Sequence, residues 1–289
     1  MKNKLPLVVM VGPTASGKTS LAVELAQRFN GEIVCADSRT IYTGMDIGTA
    51  KPTLSDRALV PHWGLDLVEP GQRFTAADFK QYAYKIIDDI RLRGKVPFLV
   101  GGTGLYVNSV LYDYQFGPDA DRDKRTELEA MDLSKLHEYC SINNIKLPDN
   151  FKNKRYVIRA IELSGVKRKR DAKKVENSVV VGIATEKTTL TSRIHARTEH
   201  LFDDGVVEEA IKLSKKYGWD SEAMTGNVYP VLRLFVAGNI DKQEAFRQIE
   251  TRDWQLAKRQ ATWFKRNPDI TWLSLGDARE YLADYLENS

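Results

Sequence analysis

The sequence predicts an α/β fold in which a helical insertion splits a parallel-sheet core, and three observations carry that reading. Leu5 to Val11 is a near-continuous apolar run rich in valine, the pattern of a strand buried on both faces. It leads straight into Gly12-Pro13-Thr14-Ala15-Ser16-Gly17-Lys18-Thr19, which has the G-x-x-x-x-G-K-[ST] spacing of a loop that cradles phosphates, and a helical pattern follows to Phe29. Strand, glycine loop and helix in that order predict a P-loop NTPase-like core. From Asp119 to Lys174 the chain turns polar and helix-prone, ending in KRKRDAKK at 167–174, before strand character returns at Ser178. The core is therefore assigned to 1–118 and 175–289, with its C-terminal helices, and the insertion to 119–174.

The elements follow in order. Gly31 ends the first helix, and Glu32 to Ala36 reads as a second strand delivering Asp37 and Ser38 to its C-terminal end, where open parallel sheets bind ligands. Thr75-Ala-Ala-Asp78 is a capping box for a helix to Arg93, with Phe79, Tyr82, Ala83, Ile86, Ile87 and Ile90 as its apolar stripe and Gly94 as its stop. Val96 to Val100 is a third buried strand and runs into Gly101-Gly102-Thr103-Gly104, a second backbone turn at a strand end. Beyond the insertion come a strand at Ser178 to Ala184, a long helix from Thr188 to Tyr217 with a break near Gly205, and a helix from Asp241 to Lys265. A strand at Ile270 to Leu275 and a last helix close the chain. No internal repeat interrupts this order.

Composition narrows the classes. The 289 residues are 42% apolar and 28% charged, enough for a substantial core, and no run reaches membrane-spanning length. The apolar stretch near the N-terminus is short and enters the phosphate loop, so it reads as a strand and not as a signal peptide. Cys35 and Cys140 show no C-x-x-C spacing, which argues against zinc or a disulfide framework and for a reducing, cytoplasmic compartment. His62, His137, His195 and His200 form no metal-like pattern. A net charge of +4 is too small to announce nucleic acid, so its uneven distribution matters more.

The phosphate loop recognises oxyanions and not the molecule bearing them. It offers helix-start N–H groups, the Lys18 ammonium, and the Thr19 hydroxyl as a ligand for Mg²⁺. Asp37 is the next candidate, as a metal ligand or a general base at the same mouth, the bland alternative being a turn aspartate. A hydrolysing nucleotidase carries an acidic residue for the metal at the end of a long apolar strand, whereas here the third strand ends in GGTG, which weakens an ATPase reading.

Taken together, GPTASGKT (12–19), ADSRTIYTGMDIGTAKP (36–52), PHWGLDLVEP (61–70), FTAADF (74–79), GKVPFLVGGTGLY (94–106), RYVIRAIELSG (155–165), RIHARTEHLFDDGVVEEA (193–210) and AKRQATWFKRN (257–267) resemble the bacterial tRNA dimethylallyltransferases, in family order across nearly the whole chain. The resemblance implies that Gly12 to Thr19 grip the diphosphate of dimethylallyl diphosphate, with Mg²⁺ on Thr19. The alkyl group would pass to the exocyclic amine of the adenine next to the anticodon in tRNA. It further implies Asp37 as the base that takes the amine's proton, Thr103 near the reacting groups, and Arg197 brought to the diphosphate. Asp37, Ser38, Arg39, Thr40 and Thr103 would lie beside the tRNA anticodon stem-loop, and Arg125, Arg155, Tyr156, Val157, Ile158 and Arg159 would touch it from the insertion. Without the resemblance Arg197 reads as a charge on a polar helix face. Arg252, Lys258, Arg259, Lys265 and Arg266 would add phosphate contacts, while Trp254, Trp263 and Phe264 read as core and not as stacking platforms. A monomer without membrane contact is the expectation.

Two departures stand out. NVYPV at 227–231 occupies the place of the family's IGYKE, keeping Tyr229, and Pro230 there argues against a continuous helix. Asn153 replaces an aspartate common ahead of the RYVIR segment. Both are expected outside the phosphate- and base-binding motifs. The rivals are an enzyme alkylating free adenylate, opposed by the insertion and basic helix, a small-molecule kinase, opposed by GGTGLY, and a non-catalytic RNA-binding protein, opposed by intact Asp37, Lys18, Thr19 and Arg197. Neutralising Lys167 to Arg170 is expected to weaken RNA binding and flatten its salt dependence; an unchanged slope of log affinity against log salt would return the run to a solvated loop.

Overall fold

Short β-branched runs alternating with amphipathic helical segments build a three-layer α/β arrangement. In the computed structural model, residues 5–117, 121–164 and 174–289 are described. In chain order the elements are β1 (Leu7–Val11), α1 (Lys18–Arg28), β2 (Gly31–Cys35), α2 (Leu54–Leu59), β3 (His62–Trp63), α3 (Ala76–Leu92), β4 (Val96–Gly101) and α4 (Gly104–Leu111). Next come α5 (Arg122–Ala130), α6 (Leu133–Ile142) and α7 (Lys154–Glu162), then β5 (Ser178–Ile183), α8 (Lys187–Asp203), α9 (Val206–Tyr217), α10 (Tyr229–Val236), α11 (Lys242–Phe264), β6 (Thr271–Leu273) and α12 (Leu275–Glu287). The chain divides into two units, Met1–Asp113 with Lys174–Ser289, and Tyr114–Lys173.

In the larger unit the strands form one parallel sheet in the order β3-β2-β4-β1-β5-β6. Every residue of β1, β2 and β4 is buried, as strands covered on both faces require, the one charge among them, Glu32, being paired with Arg93 and Lys95. Side chains alternate between the faces: Leu7, Val9 and Val11 enter one core with α3, α4, α9, α10 and α11, while Val8 and Met10 enter the other with α1 and α12. Because the chain leaves β1 to build β2 and β4 on one side and β5 and β6 on the other, the strand order reverses beside β1. A crevice therefore opens at the C-terminal strand ends, next to the phosphate loop.

Local signals settle the helix ends. The Thr75 capping box is formed, with Asp78 Oδ2 accepting from Thr75 N at 2.8 Å. Gly205, at φ +90°, separates α8 from α9 where the sequence predicts a break. The short α2, β3, α4 and α10 are not legible in the sequence. Pro230 in particular does not prevent a helix; it sits in the first turn of α10, where its missing N–H has no intrahelical partner to lose.

The long connection after β2 is held by two charges, the half-buried Glu209 and the buried Lys51. Glu209 on α9 accepts three successive backbone N–H groups, Asp46 and Ile47 at 2.8 Å and Gly48 at 2.9 Å, and the Tyr229 hydroxyl at 2.8 Å. The Tyr229 ring lies so close to Gly48 that a Cβ there would fall 2.6 Å from it. Lys51, its side chain 1% exposed, joins Asp46 and Asp66 at 2.6 Å each and donates to Tyr42 O at 2.9 Å. Removing the carboxylate in Glu209→Ala leaves those donors unpaired, and a loss of about 2–3 kcal/mol is expected in chemical denaturation. A change below about 0.5 kcal/mol would show that water replaces the clamp.

The smaller unit carries its own core of Leu128, Leu136, Cys140, Val157, Ile158 and Ile161 from α5, α6 and α7. Glu162, almost fully buried, ties Arg125 at 3.0 Å to Arg159 at 2.9 Å. Among the described residues, no helix is long and apolar enough to cross a membrane.

Candidate active site at the C-terminal ends of the strands

Between β1 and α1 the loop wraps into a cup. Gly17 caps α1 at φ +88°, a left-handed conformation open to glycine, and Ala15 also takes a positive φ of 61°. Lys18 Nζ folds back to donate to Pro13 O at 3.1 Å. Other elements brace the loop: Arg193 donates to Ser16 O at 2.9 Å, Thr14 N donates to Gln260 Oε1 at 2.8 Å, and Arg197 Nη1 donates to Thr14 Oγ1.

The C-terminal end of β2 is stitched to that of β4. Asp37 Oδ1 accepts Arg39 N at 2.8 Å, closing an Asx turn, and Ser38 N donates to Thr103 Oγ1 at 3.0 Å. Gly101 is required for space, since a Cβ there would lie 2.1 Å from Ala36 O, whereas Gly102 packs against the Gln260 side chain, whose Nε2 would lie 2.2 Å from an added Cβ. Arg39 is anchored to Glu222 O at 3.1 Å and Thr225 Oγ1 at 3.3 Å, and the buried Thr40 hydroxyl points to Asp37 O at 3.5 Å.

The loop and the two strand ends border one cavity of about 610 Å³. It is lined by Thr14, Ala15, Gly17, Lys18 and Thr19 of the loop, by Asp37, Ser38, Arg39 and Thr40, and by Thr103 and Arg197. Gly12, Pro13 and Ser16 shape the loop without lining it, Ser16 being fully buried. The helix-surface reading of Arg197 is corrected, since α8 turns this side chain inward to the loop. So is the expectation for NVYPV, because Asn227, Val228 and Tyr229 line the same cavity. The AKRQ helix, α11, contributes Asp253, Leu256, Arg259 and Gln260, of which only Arg259 stands out in the sequence. Of the α11 aromatics, Phe264 is core as expected, whereas Trp263 is 38% exposed and Trp254 half-buried.

In the smaller unit the expected contacts separate by burial. Val157 and Ile158 are 0% and 2% exposed in that unit's own core, so their side chains are corrected from ligand contacts to packing residues. Tyr156 is 47% exposed, and Arg125, Arg155 and Arg159 lie on α5 and α7, with Arg125 and Arg159 bridged by Glu162. Lys167 to Arg170 fall outside the described residues.

Burial at the foot of the loop pulls the Lys18 ammonium down to about 8, with the Asp37 carboxylate opposing the shift and the Arg197 charge adding to it. An anionic ligand needs the charged form, so binding must raise this pKa and take up a proton. Affinity for a diphosphate ester is therefore expected to fall as pH rises through about 8 and to stay flatter in Lys18→Met. Titration calorimetry from pH 7 to 9.5 checks it, equal slopes in both proteins ruling out Lys18.

The parallel sheet with its reversal beside β1 and the glycine cup define a phosphate-loop α/β protein, with Lys18, Arg39, Arg197 and Arg259 turned to one cavity beside Asp37 and Asp253. The family model described as IPP transferase matches residues 40–267. The chain is 39% identical to the tRNA dimethylallyltransferase of Staphylococcus epidermidis, over 93% of this chain and 86% of that one. To the same-named protein of Halalkalibacterium halodurans it is 38% identical, over 96% and 93%. This chain belongs to the IPP transferase family. Its structure is similar to that of the tRNA isopentenylpyrophosphate transferase of Bacillus halodurans, with a TM-score of 0.75 at 36% identity over 99% of this chain and 98% of that one. It shares the fold of a eukaryotic dimethylallyltransferase acting on tRNA, with a TM-score of 0.80 at 22% identity over 94% of this chain and 74% of that one.

Proposed function

We propose that this protein transfers a dimethylallyl group from dimethylallyl diphosphate to the exocyclic amine of the adenine next to the anticodon in tRNA, releasing diphosphate. The observation that carries the reading is the single cavity in which Lys18, Asp37, Thr103 and Arg197 meet, in a chain of this family. An allylic diphosphate ionises readily once its leaving group is neutralised. The loop N–H groups, the Lys18 ammonium and the Arg197 fork supply that stabilisation where charge develops. The adenine amine is a poor nucleophile and must lose a proton as the new C–N bond forms. Asp37 takes it, its carboxylate oriented by the Arg39 N–H, and Thr103 holds the adjoining Ser38 in place.

The Thr19 hydroxyl, a hard oxygen donor on the cavity wall, fits Mg²⁺, an ion that takes few protein ligands and fills its shell with water and phosphate oxygens. Thr19 is the residue that would hold it, and the ion would add positive charge at the departing diphosphate. Ser38, Arg39 and Thr40 would border the extruded base, and Arg125, Arg155, Tyr156 and Arg159 would meet the anticodon stem-loop. An adenine in a loop is drawn out of its stack at modest cost. The enzyme would act as a cytoplasmic monomer.

Incubation with unmodified tRNA, Mg²⁺ and dimethylallyl diphosphate, with AMP and ATP offered in parallel, tests the proposal by nucleoside mass spectrometry. A dimethylallyl increment on tRNA adenosine alone supports it. An increment on AMP or ATP would move the activity to free nucleotides, and no product on any acceptor would refute transfer.

A further inference from the structure

The segment that departs from the family pattern connects to the diphosphate arginine. Asn227 lies just before α10, and its Nδ2 donates to Asp253 Oδ1 at 3.0 Å and to Arg252 O at 3.2 Å. Asp253 sits on the inward face of α11, 1% exposed, and its other oxygen has no hydrogen-bond partner. That oxygen lies 3.9 Å from Arg197 Nη1, the same nitrogen that donates to Thr14 Oγ1, while Arg197 Nε is buried without a hydrogen bond. The three residues come from three separate stretches of chain and all line the cavity.

A carboxylate this deeply buried requires partners for both oxygens. Asn227 satisfies one and aims the other at the guanidinium. The ion pair is longer than a hydrogen bond, so it orients Arg197 without taking up one of its N–H groups as a donor. A long arginine placed beforehand against the loop loses less side-chain entropy when the anion arrives. We propose that Asn227 and Asp253 are positioning residues that hold Arg197 ready for the incoming diphosphate, an inference that rests on the function proposed above.

The test is a double-mutant cycle. Asn227→Ala, and Asn227→Leu to keep the side-chain volume, are each combined with Arg197→Ala. Affinity for inorganic diphosphate is measured by calorimetry at fixed pH, and kcat/KM for dimethylallyl diphosphate provides a second reading of the same cycle. If Asn227 acts through Arg197, either substitution weakens diphosphate binding about 3–10-fold beside Arg197 and less than about twofold in the Arg197→Ala background. The KM for tRNA stays unchanged. Equal losses in both backgrounds, or no loss in either, would overturn the inference while leaving the transfer reaction standing. A folded parent protein that binds no diphosphate would overturn the functional proposal, and the inference with it.

Discussion

Asp37→Ala is expected to slow dimethylallyl transfer on the order of a hundredfold or more, while donor and tRNA dissociation constants stay within a few fold. The substitution removes the carboxylate proposed to take the amine's proton, together with the acceptor for Arg39 N. Asp37→Asn separates these effects, because its amide oxygen can still accept from Arg39 N but the side chain no longer serves as a base. Single-turnover rates at saturating substrates decide the matter. Both variants should be slow, whereas a fast Asp37→Asn would reduce Asp37 to a turn former and remove it from the chemistry.

The second large effect is expected at Lys18. Lys18→Ala should lower the transfer rate about a thousandfold, the upper end of what removing one preorganised donor to a developing oxyanion costs. The Arg193 and Gln260 contacts brace the loop through its backbone and do not depend on the lysine, so the cup should persist in the variant. A rise in KM for dimethylallyl diphosphate with kcat unchanged would instead mean that Lys18 binds the ground state and the transition state equally. Rapid-quench measurements at saturating donor distinguish the two.

Much of the core is legible in the sequence, because its signals are local. The valine run at β1, the Thr75 capping box, the Gly205 break and the phosphate loop each depend on residues within a few positions of one another. The elements that the sequence does not reveal are short or lack periodicity. Gly104 to Leu111, at eight residues, is too short to show a helical stripe, and α10 is obscured by a proline that proves to open it. Among candidate site residues, Lys18 stands out through the phosphate-loop spacing, Asp37 through its place at a strand end beside that loop, and Arg197 only through the family resemblance. Asp253, Gln260 and Asn227 do not, since an aspartate, a glutamine or an asparagine in a polar helical segment or a loop carries no local mark of burial.

The sequence by itself determined the element order, the glycine cup and the class of ligand the cup accepts, because backbone sterics, capping and apolar alternation act over a few residues. Only the tertiary structure decided which distant side chains share the cavity with that cup. Whether Arg197 faces solvent or the loop depends on how α8 is rotated against α11, and that rotation is fixed by burial of Leu190, Ile194 and Ala257 between the two helices. The same packing turns Asp253 inward, and the approach of the α10 entry to α11 brings Asn227 to it. Such pairings arise from the closing of a core over long sequence separations, where the apolar faces choose the geometry and the polar groups accept the neighbours it brings.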